Sequence, residues 1–313
     1  MTQLGGATMG TTYHVLIDAL PPTADVAALE AAVKAVLDGV DRRMSTHRAD
    51  SELSRFNDAG AGWLSVSADT LAVVEAAQWV NRLSTGAFDP TIGPLVDLWG
   101  FGPAHREPGM PAGSRIRKAM PRNGLADVRV GSSPPALGKD RPELRLDLSG
   151  IAKGFAVDAI AARLRDRGIG NFLVEVGGEL RGGGYSPRGD AWRIGIERPP
   201  GSWGLPQRLV GLGDGALATS GDYRIFFEHS GRRYSHIIDP TTGRPVAHGL
   251  ASVTVAAPTT MAADALSTAL MVLGPEAGAE LAAREDIAAY FISRRGEGLH
   301  EHASPAFASH LIG

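Results

Sequence analysis

Between residues 25 and 44, apolar side chains recur at Val26, Leu29, Val33, Leu37, Val40 and Met44, three or four positions apart. That spacing predicts an amphipathic helix. Just before it, "TYHVLI" (12–17) reads as a first strand. Ser67 predicts the cap of a second helix running through Leu83, which Gly86 would close. "ELRLDL" (143–148) alternates and predicts a strand, leading into a helix over "SGIAKGFAVDAIAARLRDRG" with Ser149 as its cap. "NFLVEVGGEL", "WRIGIER", "QRLVGLG", "YRIFFEHSGRRYSHIID" and "LASVTVAAP" (250–258) predict further strands, several in hairpins. A helix over "TTMAADALSTALMVLG" follows. Because strands neighbour hairpins more often than they alternate with helices, the pattern predicts an α+β fold.

Two stretches interrupt this pattern. "TGAFDPTIGPLVDLWGFGP" (85–103) is punctuated by glycine and proline, and loops of that length in compact domains are often functional. Region 103–142 is rich in Pro, Gly and Ser, a candidate soft point if the chain forms two lobes of one domain. There is no internal repeat.

Composition narrows the chemistry. At 313 residues the chain can bury a sizeable core, and 43% hydrophobic residues with a net charge of −3 describe an ordinary globular protein. No Lys/Arg cluster argues for nucleic acid or an anionic membrane, so neither is an expected partner. The lysines are Lys34, Lys118, Lys139 and Lys153, which makes a lysine at a suggestive place worth notice. The absence of cysteine excludes disulfides, thiolate metal sites, iron–sulfur clusters and cysteine nucleophiles. The N-terminus shows neither a basic segment nor an apolar one, so no signal peptide is visible, and no apolar run reaches the length of a membrane span.

Three motifs could carry chemistry. In "DLSGIAKGFAVD" (147–158), two glycines bracket Lys153 in a first helical turn. Free N–H groups and the helix dipole favour phosphate there, Gly150 and Gly154 would let a ligand approach, and Lys153 would add charge. The plain alternative is a capped helix with a solvated lysine. In "MAADALSTAL" (261–270), Asp264, Ser267 and Thr268 fall at i, i+3 and i+4, which puts three oxygen donors on one helix face. One carboxylate with hydroxyls suits Mg²⁺ bound together with substrate phosphates, although an aspartate in a first turn can simply complement the dipole. In "RRYSHIIDPTTGRPV" (232–246), His236 could act as a general base, with Asp239 five positions into the stretch from Ser235. A Ser220/His236/Asp239 hydrolase lacks its nucleophile elbow, and "GLGDG" (211–215) lacks the helix a dinucleotide fingerprint needs. A nucleotide phosphate site with Mg²⁺ fits better.

In order along the chain, "MGTTYHV", "MSTHRADSELSRFN", "FDPTIGPLVDLWGFG", "DLSGIAKGFAVD", "VEVGGEL", "TSGDYR", "SHIIDPTTGRPV" and "ADALSTALMVLG" resemble the ApbE family, from residue 9 to beyond residue 290. Its members are Mg²⁺-dependent FAD:protein FMN transferases with an α+β, T-fold-like architecture and a flavin cleft. The resemblance implies FAD contacts at Met9, His47 (in place of the more usual tyrosine), Ala87, Phe88, Asp89, Asp147, Lys153 and Ile238. It implies metal ligands at the Gly150 carbonyl, Asp264 and Thr268, with Ser267 where relatives can place an aspartate. His236 would accept the proton of an acceptor threonine, and Asp239 would fix the turn or orient the imidazole. Ile238 would pack on the cofactor. The implied reaction moves FMN from FAD to a threonine or serine hydroxyl of a target flavoprotein, such as an FMN-binding domain of a membrane redox complex, and releases AMP. An FAD pyrophosphatase and a non-catalytic flavin binder stand as alternatives. Relatives are commonly exported, so a periplasmic location with the leader removed is expected, with a cytoplasmic variant as the other option.

Overall fold

The computed structural model describes residues 1–312 except 23, 103–106, 121–123, 200–205 and 297. Its centre is an eight-stranded sheet whose neighbours all run antiparallel. The strand order is Thr2–Thr8, Thr11–Ile17, Phe172–Val176, Glu179–Gly183, Ala216–Gly221, Leu250–Ala257, Ala288–Arg295 and Gly298–Ala303. Leu250–Ala257 is buried at seven consecutive positions, so this sheet is covered on both faces. Helices Val26–Met44, Ala152–Arg165 and Thr260–Leu273 pack on one face, where Val253, Val255 and Phe291 point. On the other face Ala256, Tyr290 and Ile292 meet Trp192, Ile194 and Phe307 beneath a three-stranded sheet. A third, smaller cluster gathers Leu95, Trp99, Ile116 and Ile238.

Local signals account for much of this. The Val26–Met44 helix buries Leu29, Val33, Leu37, Val40 and Met44, five of the six periodic positions, and leaves Val26 exposed at its end. Ser67 caps Ala68–Leu83 by accepting the Thr70 N–H at 3.2 Å. Gly86, at φ 87°, closes that helix by donating to the Asn81 carbonyl at 2.8 Å. The α+β class holds.

Three expectations are corrected. Residues 143–148 alternate in burial yet join no sheet. The Asn57 side chain takes the place of a neighbouring strand, accepting from the Leu146 N–H (2.7 Å) and donating to the Leu146 carbonyl (2.8 Å). Lys139, 1% exposed, adds its ammonium to the carbonyls of Asn57, Pro142 and Leu144 at 2.9–3.1 Å. The stretch 85–103 is not all loop, because Gly93–Trp99 is helical. The soft region 103–142 lies partly outside the described residues; its described part holds helix Gly113–Ala119 and strands Val128–Ser132 and Pro135–Lys139.

The third correction concerns the cap at Ser149. Helix Ala152–Arg165 has no side-chain cap of its own. Asp264, from the neighbouring helix Thr260–Leu273, accepts the Gly154 N–H at 3.0 Å. The favour is returned: Asp158 accepts the N–H groups of Thr260 (3.0 Å) and Met261 (2.9 Å). Each helix therefore satisfies otherwise unpaired N–H groups at the start of the other. Gly154 makes this approach possible, since a Cβ there would stand 2.4 Å from the Thr260 carbonyl oxygen. Its role is helix contact rather than room for a ligand.

Candidate active site

Reciprocal capping brings Lys153, one residue before Gly154, against Asp264. The Lys153 ammonium lies 3.6 Å from Asp264 Oδ1 and 3.2 Å from Glu179 Oε1, and donates to the Ser149 carbonyl at 3.4 Å. Glu179 opens the strand Glu179–Gly183 and is 5% exposed, whereas Lys153 keeps 27% of its side chain open. Burial pushes both carboxyls upward, and Lys153 opposes it in each. Burial pulls the Lys153 ammonium the other way, but the Asp264 and Glu179 charges outweigh it and hold the proton firmly. Glu179 Oε2 is buried without a hydrogen-bond partner among the described residues.

The segments 87–93 and 147–150 lie side by side next to this cluster. The Asp147 N–H donates to the Pro90 carbonyl at 2.7 Å, and Asp147 Oδ1 accepts the Ser149 N–H at 2.9 Å. A Cβ at Gly150 would stand 3.3 Å from the Phe88 ring and 3.5 Å from Thr268 Oγ1, so Gly150 sits between them. Ala87 and Phe88 are buried, with the Phe88 carbonyl held by Asn81. Asp89 Oδ1 accepts from both the N–H (2.8 Å) and hydroxyl (2.6 Å) of Thr91; burial raises its pKa against those bonds. Met9 and Gly10, at φ 47° and 73°, form the two-residue turn between strands paired through Thr8 and Thr11. Thr11 and the Lys153 chain both approach Gly177, so this hairpin tip lies near the charge cluster. His47 is exposed just beyond the first helix, its N–H bonded to Ser45 Oγ.

His236 follows the strand Arg232–Ser235. Its Nδ1 lies 3.2 Å from the Ile225 carbonyl oxygen. A carbonyl only accepts, so the neutral ring carries its hydrogen on Nδ1 and keeps Nε2 as the proton acceptor. Burial lowers the imidazole pKa; the Ile225 carbonyl opposes that, and nearby Lys153 adds to it. Beneath the strand, Tyr234 stacks on Phe227 (5.2 Å) and Trp99 (5.9 Å), while Phe101 meets His236 edge-on at 6.4 Å. Trp99 Nε1 donates to the Gly243 carbonyl at 2.9 Å, tying the turn after His236 to helix Gly93–Trp99.

Four sequence-based assignments change. Asp239 accepts the Thr241 N–H at 2.8 Å and fixes the turn; it is Ile225, not Asp239, that orients the imidazole. Ile238 is 1% exposed and packs with Leu95, Trp99 and Ile116, so its side chain is core and only its backbone can meet a ligand. Ser267 is buried, its hydroxyl donating to the Asp264 carbonyl (2.9 Å) and meeting Ser220 Oγ (2.9 Å), so protein groups hold it in place of the carboxylate chemistry of an aspartate. Ser149 does not cap. Sequence reasoning missed Glu179 and weighed Ser220 only as a nucleophile, whereas its hydroxyl touches Thr268 Oγ1 at 3.1 Å. The cue for Glu179 was an acid starting an apolar strand after two glycines.

A hard cation fits these residues. No group of three or more His, Cys, Asp or Glu side chains among the described residues forms a metal cage. Asp264, the Thr268 hydroxyl and the Gly150 carbonyl offer oxygen alone, and Glu179 adds a buried carboxyl oxygen without a hydrogen-bond partner among the described residues. Such a partial oxygen set suits Mg²⁺, which keeps positions for water and phosphate.

The chain is similar to known proteins over nearly its whole length. A curated FAD:protein FMN transferase of Vibrio cholerae is 44% identical over 98% of this chain and 92% of its own length. That of Escherichia coli strain K12 is 39% identical, covering 100% of this chain and 90% of its own. Among solved structures, flavin transferase ApbE from Vibrio cholerae superposes with a TM-score of 0.92 at 43% identity, covering 99% of both chains. The apo flavinyl transferase ApbE of Pseudomonas stutzeri gives 0.90 at 40% identity, covering 98% of this chain and 95% of its own. Residues 9–291 match the ApbE family as a whole, and this chain belongs to that family.

Proposed function

We propose that this chain transfers FMN from FAD to a threonine or serine hydroxyl of a target protein, with AMP as the leaving group. The observation that carries this reading is the nearness of two complementary parts. One is a buried lysine–carboxylate cluster at a helix start, suited to a pyrophosphate; the other is a neutral imidazole with Nε2 open. The relatives' names support the same reaction.

In the proposed step the hydroxyl oxygen attacks the phosphorus on the riboflavin side of the pyrophosphate. Nε2 of His236 takes the hydroxyl proton as the new P–O bond forms. The bond to the bridging oxygen breaks, and AMP departs with the electron pair. Lys153 faces the negative phosphate oxygens, and the Ile225 carbonyl stabilises the imidazolium through Nδ1–H. Such transfer depends on positioning and charge neutralisation more than on covalent help. Asp264, Thr268 and the Gly150 carbonyl would hold Mg²⁺, which when bound supplies further neutralisation of pyrophosphate charge. Ala87–Asp89, Asp147 and the Met9 turn are the FAD contacts; His47 adds a ring able to stack on it.

Family resemblance supports an FMN-binding domain of a membrane redox complex as acceptor, and a periplasmic setting. No helix among the described residues is long and apolar enough to cross a membrane. The test is incubation with FAD, Mg²⁺ and such a domain, followed by a denaturing gel. Flavin fluorescence should travel with the acceptor and vanish when its target threonine becomes alanine. Fluorescence that stays with free FMN in both cases contradicts the proposal.

A further inference from the structure

Beside the strand that delivers His236 lies a cavity of about 650 Å³. Arg198, Arg232, Arg233, Arg294, Asp222, Ser235 and His248 supply its polar side chains. Asp222 neutralises Arg294 through two hydrogen bonds of 2.6 and 2.8 Å. The other three arginines are not compensated in this way. Arg233 reaches Glu228 only at 4.0 Å, and Arg198 and Arg232 have no ion pair among the described residues. Ser235 is 4% exposed, and its hydroxyl has no hydrogen-bond partner among the described residues. A buried, unsatisfied hydroxyl is costly unless something arrives to bond it. Cations without anions and a hydroxyl without a partner point to an anionic, hydrogen-bonding occupant.

The backbone beside the cavity says what form that occupant takes. Arg232–Ser235 pairs with Phe226–His229 in a sheet of two strands, so among the described residues its other edge carries no strand. The His236 N–H donates to the Ile225 carbonyl, which fixes the parity of this ladder. In an antiparallel pair, alternate residues turn their backbone groups toward the partner and away from it. Residues 232, 234 and 236 face inward. Arg233 and Ser235, both cavity-lining, present their N–H and C=O groups outward. An open edge of this kind accepts an extended peptide by strand addition.

We propose that this open edge and the arginine-lined cavity dock an extended, acidic stretch of the acceptor polypeptide next to its target hydroxyl. The inference rests on the reading of the chain as a flavin transferase. Main-chain bonds to Arg233, the exposed outward-facing position, set the acceptor's register, and carboxylates on it pair with Arg198, Arg232 and Arg233. The hydroxyl to be modified is then carried to His236, the next residue along the same strand. A phosphate-bearing small molecule could satisfy the charge but has no use for the strand edge.

The test measures fluorescence anisotropy of a labelled, capped tri-aspartate peptide with the FAD-loaded protein. Binding should exceed that of tri-lysine, and the Arg232→Ala/Arg233→Ala variant should weaken it about tenfold or more. Arg198→Ala, on a separate strand, should weaken it as well. FAD affinity of each variant should match the parent, which also shows that the fold is intact. N-methylation of the peptide backbone should reduce binding. Unchanged peptide affinity in both arginine variants overturns the proposal. So does displacement of the probe by AMP or inorganic phosphate at concentrations well below those of unlabelled tri-aspartate, since the cavity would then be a phosphate site. Indifference to N-methylation overturns the strand pairing. If the peptide binds as expected but FMN is never transferred, the flavin-transfer reading fails and the docking surface stands.

Discussion

Lys153, Glu179 and Asp264 are held by buried charge and by two helices capping one another, whereas His236 is held by stacked rings and one carbonyl. The difference has a consequence for mutation. Asp264 serves the fold and the chemistry through the same carboxylate: Oδ2 caps Gly154 while Oδ1 faces Lys153. Around His236 the duties are divided. Tyr234, Phe227 and Trp99 fix the strand, Asp239 fixes the turn, and among the described residues the imidazole bonds through Nδ1 to Ile225 alone. Function is therefore separable from folding at His236 and entangled with it at Asp264.

The largest effect belongs to His236. As a general base it should contribute on the order of 10²–10⁴-fold to the rate, so His236→Ala should transfer FMN slowly yet bind FAD almost normally. Burial lowers its pKa, so the proton is lost at lower pH than for an exposed imidazole. The ascending limb of the pH–rate profile should therefore lie below the ordinary histidine value of about 6.5 and disappear in the variant. An ascending limb that survives in His236→Ala would assign it to another group.

Asp264 comes next, and two substitutions separate its duties. Asp264→Ala should lower turnover on the order of 10²–10³-fold, and loss of the cap should cost about 1 kcal/mol of stability. Asp264→Asn retains an oxygen for the Gly154 N–H but no charge. It should keep most of the parent's Tm while losing the response to Mg²⁺. Equal losses of Tm in both variants would sever the cap from the carboxylate.

Smaller effects test the scaffold. Alanine is worth up to about 1 kcal/mol over glycine inside a helix, yet Gly154→Ala drives a methyl against the Thr260 carbonyl at 2.4 Å. Backbone cannot yield as a side chain can, so overpacking of about 1–3 kcal/mol should win and lower Tm. A rise in Tm would mean that the two helices separate easily. Smallest of all, Ser267→Ala should cost about 1 kcal/mol through its lost hydrogen bonds and leave the Mg²⁺ dependence as it was. A change in that dependence would make Ser267 a metal ligand.

The same contrast explains what could be read from the sequence. Elements whose causes are local were legible: the apolar spacing of Val26–Met44, the Ser67 cap, the Gly86 stop. So were the motifs around Lys153, His236 and Asp264 that resemble the family. What failed depended on residues far apart in the chain. Residues 143–148 alternate as a strand should, but their hydrogen bonds go to Asn57 and Lys139 side chains. Ser149 looks like a cap, but the cap comes from Asp264, 110 positions beyond Gly154. Ile238 is apolar and next to the cleft, and only packing shows that Leu95 and Trp99 already occupy its surface. Glu179 becomes a site residue only when its strand is laid beside the helix that carries Lys153.

The central claim is that one phosphorus of FAD passes to a protein hydroxyl and not to water. The most direct measurement is a quenched single turnover with FAD, Mg²⁺ and acceptor, counting AMP and covalently bound flavin together. The account predicts one bound flavin for each AMP released, with both formed at the same rate and both slowed alike by His236→Ala. AMP matched instead by free FMN, with no flavin on the acceptor, would contradict it.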